Sequence, residues 1–168
     1  MNLVLIGYRG TGKSTVARLL AEKLGMEVVS LDQEIVRRAG RSIPEIVAQH
    51  GWSHFRDLES AATKYFSERD NIIIDAGGGV ILRRENVESL RRGGKVFWLR
   101  ASVPVIVARI EAGTERPPLT VGKSFTEEVE EVLRERSRLY EAAADYQIDT
   151  DALSPKQVAA EIARLHSC

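Results

Sequence analysis

The stretch that decides the fold lies near the start of the chain, where residues 3–24 read LVLIGYRGTGKSTVARLLAEKL. Residues 3–6 are all apolar, which predicts a buried strand, and the apolar spacing in residues 16–24 predicts an amphipathic helix. Between them, Gly7 and Gly12 bracket four residues and are followed by Lys13 and Ser14. This spacing, placed between a strand and a helix, is typical of a loop that binds the phosphates of a nucleoside triphosphate.

The chemistry of such a loop assigns roles to its residues. Glycines allow successive backbone N–H groups to face the phosphates, and the following helix presents the positive end of its dipole. We expect Lys13 to reach the outer phosphates and the Ser14 hydroxyl to bind Mg²⁺ directly. The loop residues predicted to bind ATP are Gly10, Thr11, Gly12, Lys13, Ser14 and Thr15.

Further short apolar runs occur along the chain at residues 27–31, 71–75, 95–99 and 146–149. Several show little alternation, which is typical of strands covered on both faces of a parallel sheet. Two of the helical segments between them have a serine N-cap, Ser42 or Ser154, with Glu45 or Gln157 three residues later. The sequence therefore predicts an α/β fold in a single domain, residues 1–168, with helices on both faces of the sheet.

One segment fits neither the helical nor the strand pattern. Residues 113–125 read GTERPPLTVGKSF, and their glycines and prolines predict a loop, followed by a charged helix over residues 126–144. We expect this loop to be a mobile lid, since transfer of a phosphoryl group requires the exclusion of water.

Charge and cysteine content exclude several classes of protein. The chain has 168 residues, 24 lysines and arginines and 24 aspartates and glutamates, so its formal net charge is zero. This balance argues against a binder of nucleic acid or of membrane surfaces. The single cysteine, Cys168, excludes a disulfide scaffold and a cysteine-based metal cluster. We expect no signal peptide, because the opening apolar run lacks the charged start and the cleavage region of one. We expect a cytoplasmic protein and a monomer.

Two classes of nucleotide-binding protein fit the loop. A nucleotide-gated switch is one, because residues 75–78 fit the Asp-x-x-Gly pattern of such proteins, although no Asn is followed by Lys to read guanine. A kinase is the other, and it needs a second pocket for an acceptor. Arg56 on a predicted helix, Arg136 on a late helix and the glycines that follow a strand at residues 77–79 supply candidates for that pocket. Ligands of parallel sheets bind at the carboxyl ends of the strands, and glycines there allow close approach.

Together these motifs resemble the bacterial shikimate kinases over nearly the whole chain. The segments that carry the resemblance are Gly-x-x-Gly-Thr-Gly-Lys-Ser-Thr at 7–15, Asp32, Gly-Arg-Ser-Ile at 40–43, Phe-Arg-x-x-Glu at 55–59, the glycines at 77–79, Arg116-Pro117 and Arg-x-x-Leu-Tyr at 136–140. The resemblance implies a three-layer P-loop kinase fold with a five-stranded parallel sheet, and transfer of a phosphoryl group from ATP to the 3-hydroxyl of shikimate.

The resemblance also implies roles for acceptor-binding residues, several of them in a helical segment at about residues 32–62. Arg56 and Arg136 would bind the carboxylate through bidentate hydrogen bonds. Asp32 would accept hydrogen bonds from ring hydroxyls and take the proton of the attacking one, and the Gly78 N–H would donate to the substrate. The residues predicted to contact the acceptor are Asp32, Arg56, Gly77, Gly78, Gly79 and Arg136.

On the nucleotide side, the resemblance implies that Arg116 in the lid closes over the phosphates and stabilises the charge of the transition state. Arg109 would pack against adenine. Ala152 stands where an arginine often lies beside the base, so we expect a less selective base pocket with Pro155 as one wall.

The sequence departs from the family at the second strand, where Ser30 replaces the first aspartate of Asp-x-Asp. That carboxylate would help to orient Mg²⁺ through water. Asp75, at the end of a neighbouring strand, resembles the acidic residue of other phosphate-loop proteins. Our hypothesis is that Asp75 replaces the missing carboxylate.

Alternatives remain open at this point. Another small hydroxy acid such as gluconate is the second candidate acceptor, and a switch without acceptor chemistry is the candidate from another class.

The remaining arginines are expected to be solvated, among them Arg9, Arg37, Arg38, Arg83, Arg84, Arg91 and Arg92.

Overall fold

A computed structural model describes residues 1–112 and 124–168, and its five strands form one parallel sheet. The strands are β1 (Asn2–Ile6), β2 (Glu27–Ser30), β3 (Ile72–Asp75), β4 (Gly94–Arg100) and β5 (Tyr146–Asp149). They lie in the order β2-β3-β1-β4-β5, which confirms the predicted α/β fold and its five-stranded sheet.

Helices cover both faces of this sheet, so the fold has three layers. They are α1 (Lys13–Leu24), α2 (Leu31–Ala39), α3 (Ile43–His50), α4 (Trp52–Ser67), α5 (Arg84–Gly93), α6 (Val103–Glu111), α7 (Phe125–Ala143) and α8 (Pro155–His166), with a short 3-10 helix at Val80–Leu82. The side chains of the central strand, β1, are covered by helices on both faces of the sheet. Val4 and Ile6 pack towards α2, α3, α4, α5 and α7, whereas Leu3 and Leu5 pack towards α1 and α8. All four side chains are fully buried.

The order of the strands creates a crevice beside β1. From β1 the chain moves to one side of the sheet for β2 and β3, and then to the other side for β4 and β5. Ligands of such sheets bind at the carboxyl ends of the strands where the chain changes direction. The loop after β1, the start of α2 after β2 and the glycines after β3 all lie at this edge.

β1 and β4 extend one residue beyond their predicted ends, at Asn2, Gly94 and Arg100. Two residues predicted at strand ends lie outside the strands for local reasons. Leu31 was expected to end the second strand, but it begins α2, because the Ser30 hydroxyl accepts a hydrogen bond from the Gln33 N–H at 3.3 Å and caps the helix. Asn71 was expected in the third strand, but its φ of 60° lies in the left-handed region and makes it part of a turn.

The predicted serine caps are present with one difference. Ser154 forms the complete capping box with Gln157, whereas Ser42 accepts a hydrogen bond from the Glu45 N–H. The late helix begins slightly earlier than predicted, since Ser124 caps α7 and Phe125 is its first residue. The rest of the predicted lid, residues 113–123, lies outside the described residues. Within the described ranges, no helix is both long and apolar enough to cross a membrane.

Candidate active site

The phosphate loop, residues 7–15, joins β1 to α1 in a conformation that only glycine tolerates well. Gly10 and Gly12 have φ values of 82° and 89°, in the left-handed region. At Gly7 a Cβ atom would lie 2.6 Å from the Leu99 carbonyl oxygen, so the loop also passes too close to β4 for any side chain. The N-terminus of α1 therefore opens directly onto the loop, as an anion site requires.

Side chains of the loop stabilise it through hydrogen bonds to its own backbone. The Thr11 hydroxyl donates to the Tyr8 carbonyl oxygen at 2.8 Å. The Lys13 amine donates to the carbonyl oxygens of Gly7 and Tyr8 at 2.8 and 3.1 Å, and its side chain is buried. The structure thus brings together the predicted residues from Gly10 to Thr15, with the cation of Lys13 at their centre.

A pair of oxygen ligands lies at the entrance to α1. The Ser14 hydroxyl donates to a carboxylate oxygen of Asp75 at 2.7 Å, across the gap between α1 and the end of β3. Asp75 is buried, and its register partner on the neighbouring strand is Ser30. A hydroxyl and a carboxylate are the kind of oxygen ligands that Mg²⁺ prefers. The residues present therefore fit a magnesium site shared with nucleotide phosphates.

A cavity of about 470 Å³ lies beside the phosphate loop, and we call it the acceptor cavity. Its apolar wall comes from α2, α3 and α4, and its other walls carry charges and glycines. The lining residues include Val36, Ile43, Pro44, Trp52 and Phe55 on the apolar side, and Arg9, Asp32, Arg56, Glu59, Gly77, Gly78, Gly79 and Arg136 on the polar side. All the predicted acceptor residues thus line one cavity.

The glycine turn, residues 77–79, shapes this cavity in a way that the sequence did not predict. A Cβ atom on Gly77 would lie 2.8 Å from a carboxylate oxygen of Asp32 and 3.0 Å from one of Glu59. The Arg56 guanidinium occupies the corresponding space at Gly79. We expected these glycines to admit a ligand, but at Gly77 and Gly79 the space is filled by the protein's own charged groups. Gly78, which is half-buried, keeps an open face.

Glu59 and Arg56 form a buried ion pair on α4. The Arg56 guanidinium donates to a Glu59 carboxylate oxygen at 2.9 Å, and the Glu59 side chain is 1% exposed. Burial raises the pKa of Glu59, and the nearby Asp32 carboxylate raises it further, while Arg56 and Arg136 oppose the shift. The guanidinium of Arg56 also lies over the rings of Trp52 and Phe55. Arg56 therefore both forms an ion pair within its helix and lines the acceptor cavity.

The far side of the loop holds the predicted base-binding residues. Arg109 on α6 donates to the Gly10 carbonyl oxygen and to the Thr150 hydroxyl, both at 3.2 Å. Pro155 is exposed in the first turn of α8, and Ala152 is exposed just before it. The structure thus places Arg109 against the phosphate loop and outside the lining of the acceptor cavity. Arg116, the predicted lid arginine, lies outside the described residues.

Arg9 was expected to be a solvated surface residue, and this prediction was wrong. Its side chain is only 14% exposed, lines the acceptor cavity and lies 3.7 Å from the buried carboxylate of Glu128 on α7. Its guanidinium also lies over the Phe125 ring, with 5.6 Å to the centroid. An arginine within a loop has no periodic pattern to indicate burial, so only its place beside Gly10 could have marked it.

A family model and related sequences both match this chain to the same family. A family model described as shikimate kinase matches residues 9–166. A shikimate kinase of Thermodesulfovibrio yellowstonii is 44% identical over 161 residues, which cover 96% of this chain and 92% of that protein. A shikimate kinase of Persephonella marina is 38% identical over 161 residues, with 96% of each chain covered.

Among solved structures, the shikimate kinase from Acinetobacter baumannii in complex with shikimate superposes with a TM-score of 0.92 at 34% identity. The match covers 98% of this chain and 91% of that one. The order of motifs, the acceptor cavity beside the phosphate loop and these nearly full-length matches all agree, and the chain therefore belongs to the shikimate kinase family.

Proposed function

We propose that this chain transfers the γ-phosphoryl group of ATP to the 3-hydroxyl of shikimate, giving shikimate 3-phosphate and ADP. The observation that carries the proposal is the contact between the two halves of the site. Gly78 in the glycine turn lies against the Gly7 carbonyl oxygen of the phosphate loop, with 3.5 Å from that oxygen to a Cβ atom built on Gly78. An acceptor in the cavity would therefore adjoin the end of a triphosphate bound to the loop.

The acceptor cavity provides complementary groups for a ring that carries one carboxylate and several hydroxyls. Arg56 and Arg136 would bind the carboxylate, since guanidinium groups pair with carboxylates in bidentate geometry. Asp32 would accept hydrogen bonds from ring hydroxyls and take the proton of the attacking oxygen. The Gly78 N–H would donate to the substrate, and the apolar wall would contact the carbon face of the ring.

On the nucleotide side, the N–H groups of the phosphate loop would bind the phosphates, and Lys13 would stabilise the charge that develops during transfer. Ser14 would bind Mg²⁺ directly and Asp75 would bind it through water; the ion, when bound, would neutralise phosphate charge. Arg116 would contribute a second cation as the lid closes, and Arg109 and Pro155 would contact adenine. Most of the acceleration would come from alignment and electrostatics.

A coupled assay for ADP release tests the proposed function. The purified chain is supplied with Mg²⁺·ATP and, separately, shikimate, gluconate or no acceptor. We expect ADP release that saturates with shikimate, together with one phosphorylated product by mass spectrometry. Release with gluconate alone would identify a different hydroxy acid kinase, and slow hydrolysis unaffected by either acid would favour a nucleotide-gated switch.

We further propose that the chain works as a monomeric single domain in the cytoplasm, where ATP is supplied. The balanced charge of the chain supports a protein that binds neither nucleic acid nor a membrane surface. Light scattering coupled to size exclusion measures the mass in solution, and a dimer mass at micromolar concentration would contradict the monomer.

A further inference from the structure

Tyr140 on α7 is a polar side chain without a role in the proposed chemistry. It is fully buried, and its ring stacks on Trp98 of β4 with 5.5 Å between centroids and an interplanar angle of 27°. A tyrosine whose only function is packing would be equivalent to phenylalanine. The hydroxyl of Tyr140, however, reaches the wall of the acceptor cavity.

The Tyr140 hydroxyl links two parts of that wall. It donates to the Gly78 carbonyl oxygen at 2.5 Å. Arg136, one turn earlier on the same helix, lies on the same side of Gly78, since a Cβ atom built on Gly78 would lie 3.7 Å from both the Arg136 guanidinium and the Tyr140 hydroxyl. A phenol has one proton to donate and lone pairs to accept, so the hydroxyl can donate to Gly78 and still accept from a guanidinium. Burial raises the pKa of Tyr140 to about 12, so the hydroxyl stays protonated at neutral pH.

The bond to Gly78 also acts on the other arginine. It fixes the plane of the peptide between Gly78 and Gly79, because a peptide unit is rigid. The Arg56 guanidinium lies directly against Gly79, in the space that a side chain would fill. The orientation of this peptide therefore limits where Arg56 can lie, while the Tyr140 hydroxyl beside Gly78 limits where the Arg136 guanidinium can lie.

We propose that Tyr140 is a positioning residue that sets the two arginines at the spacing needed to bind the acceptor carboxylate. This inference rests on the proposed function. Bidentate recognition depends on geometry, and small misplacements of binding groups are costly. Tyr140 itself does not line the cavity, so it acts through the glycine turn and the arginines and not through contact with substrate.

The variant Tyr140→Phe tests this role, because phenylalanine keeps the ring on Trp98 and removes only the hydroxyl. We expect the KM for shikimate to rise about tenfold, as for loss of a buried hydrogen bond. The KM for ATP should stay within about twofold, because no group of the phosphate loop loses a hydrogen bond. Tyr146→Phe is the matched control, since that ring stacks on Phe97 in the other layer and should leave both constants unchanged.

A merely structural role predicts a different result. Tyr140→Phe would then lower the thermal midpoint while both KM values stayed at their wild-type levels, and this outcome overturns the inference. A double-mutant cycle gives a second test: in the background of Arg136→Ala, the removal of the Tyr140 hydroxyl should cost less shikimate affinity than it costs in the wild type. Equal costs in both backgrounds would show that the hydroxyl does not act through Arg136, and would also overturn the inference.

The two levels of proposal fail in different ways. Wild-type protein that releases no ADP in response to shikimate overturns the proposed function, and with it the role of Tyr140. Wild-type protein with normal shikimate kinase activity, beside a Tyr140→Phe variant with an unchanged shikimate KM, overturns only the positioning role.

Discussion

The phosphate loop and the acceptor cavity adjoin each other but are built in opposite ways. The loop is one continuous stretch, residues 7–15, whose ligand-binding groups are mostly backbone N–H groups held by its own side chains, as in the contact from Lys13 to Gly7. The cavity takes its charged groups from α2, α4 and α7, together with Arg9 of the loop, and sets them around the glycine turn. A local sequence pattern is enough to specify the first site, whereas the second exists only when distant segments pack together.

This difference predicts two classes of mutational effect. Changes in the phosphate loop should reduce turnover, since its groups stabilise charge in the transition state. Changes around the cavity should raise the KM for the acceptor, since in the proposed mechanism its groups bind the acceptor equally well in the ground state and in the transition state. The substitutions that follow, in order of decreasing expected effect, test this division.

Lys13→Ala should have the largest effect and lower kcat by about 10³-fold, because in the proposed mechanism Lys13 stabilises the charge that develops during transfer. The kcat measured in the coupled ADP assay checks this. Lys64→Ala, at an exposed position on α4, is the control and should leave kcat unchanged. A Lys13→Ala enzyme that keeps its turnover but loses acceptor affinity would reverse the assignments of the two regions.

Arg136→Ala should raise the KM for shikimate roughly 100-fold, the cost of losing charge-assisted hydrogen bonds to a carboxylate. The fall in kcat should be much smaller. Titration calorimetry with shikimate and a non-hydrolysable ATP analogue measures the affinity directly. Arg134→Ala, at an exposed position on the same helix, is the control. A large loss of kcat in Arg136→Ala at unchanged shikimate affinity would show that Arg136 stabilises the transition state and does not act mainly in binding the acceptor.

Asp75→Asn should lower kcat roughly 30-fold with little effect on ATP affinity, the usual cost of losing a group that orients a metal ion through water. The Mg²⁺ concentration for half-maximal activity should rise. The swap Ser30→Asp with Asp75→Asn should restore part of the activity, because the two positions are register partners and aspartate also caps helices well. Full activity in Asp75→Asn alone would show that Asp75 has no such role.

Gly79→Ala should raise the KM for shikimate about tenfold, since its methyl group would displace the Arg56 guanidinium and disturb a charge-assisted hydrogen bond. The fold should survive, because φ at Gly79 is −98° and the displaced group is the end of a flexible side chain. Circular dichroism and shikimate titration measure the two effects. An unchanged KM would mean that Arg56 binds the acceptor from a different position.

Glu59→Gln should have the smallest effect, visible in the pH dependence of stability. Because the pKa of Glu59 is raised in the folded state, the folded protein holds that proton at pH values where the unfolded chain has lost it. Ionisation of Glu59 therefore lowers the free energy of unfolding as pH rises above 4.5, the ordinary value for this carboxyl group. Denaturant unfolding between pH 4.5 and 7.5 should show the variant gaining stability relative to wild type as pH rises. A difference that is constant with pH would mean that the pKa is not raised.

Much of the fold could be predicted because the signals are local. The apolar run of β1, the phosphate loop and the Ser154 cap each depend on a few neighbouring residues, and each was predicted to within one residue of its observed place. The start of α2 at Leu31 was missed because the sequence is consistent with Ser30 either as the end of a strand or as the N-cap of a helix. In the structure Ser30 is both the last residue of β2 and the N-cap of α2, so the helix begins directly at Leu31.

The cavity was less predictable because its contacts are long-range. The motifs named its residues, but they did not show that Arg56 lies on Gly79, or that Gly77 adjoins the carboxylates of Asp32 and Glu59. The burial of Arg9 likewise depends on a long-range contact, with Glu128 far along the chain, and no periodic pattern indicates it. Such contacts follow from the packing of helices that are separate in sequence.

The filled space beneath the glycine turn limits how this enzyme could evolve or be redesigned for another acid. A side chain at position 77 or 79 would dislodge Asp32, Glu59 or Arg56. The apolar wall of the cavity is not coupled to these charged groups in this way, because Val36, Ile43 and Pro44 contribute only volume and apolar surface. A shift in substrate range would therefore begin on α2 and α3, where one substitution can resize the cavity while the charged groups keep their geometry.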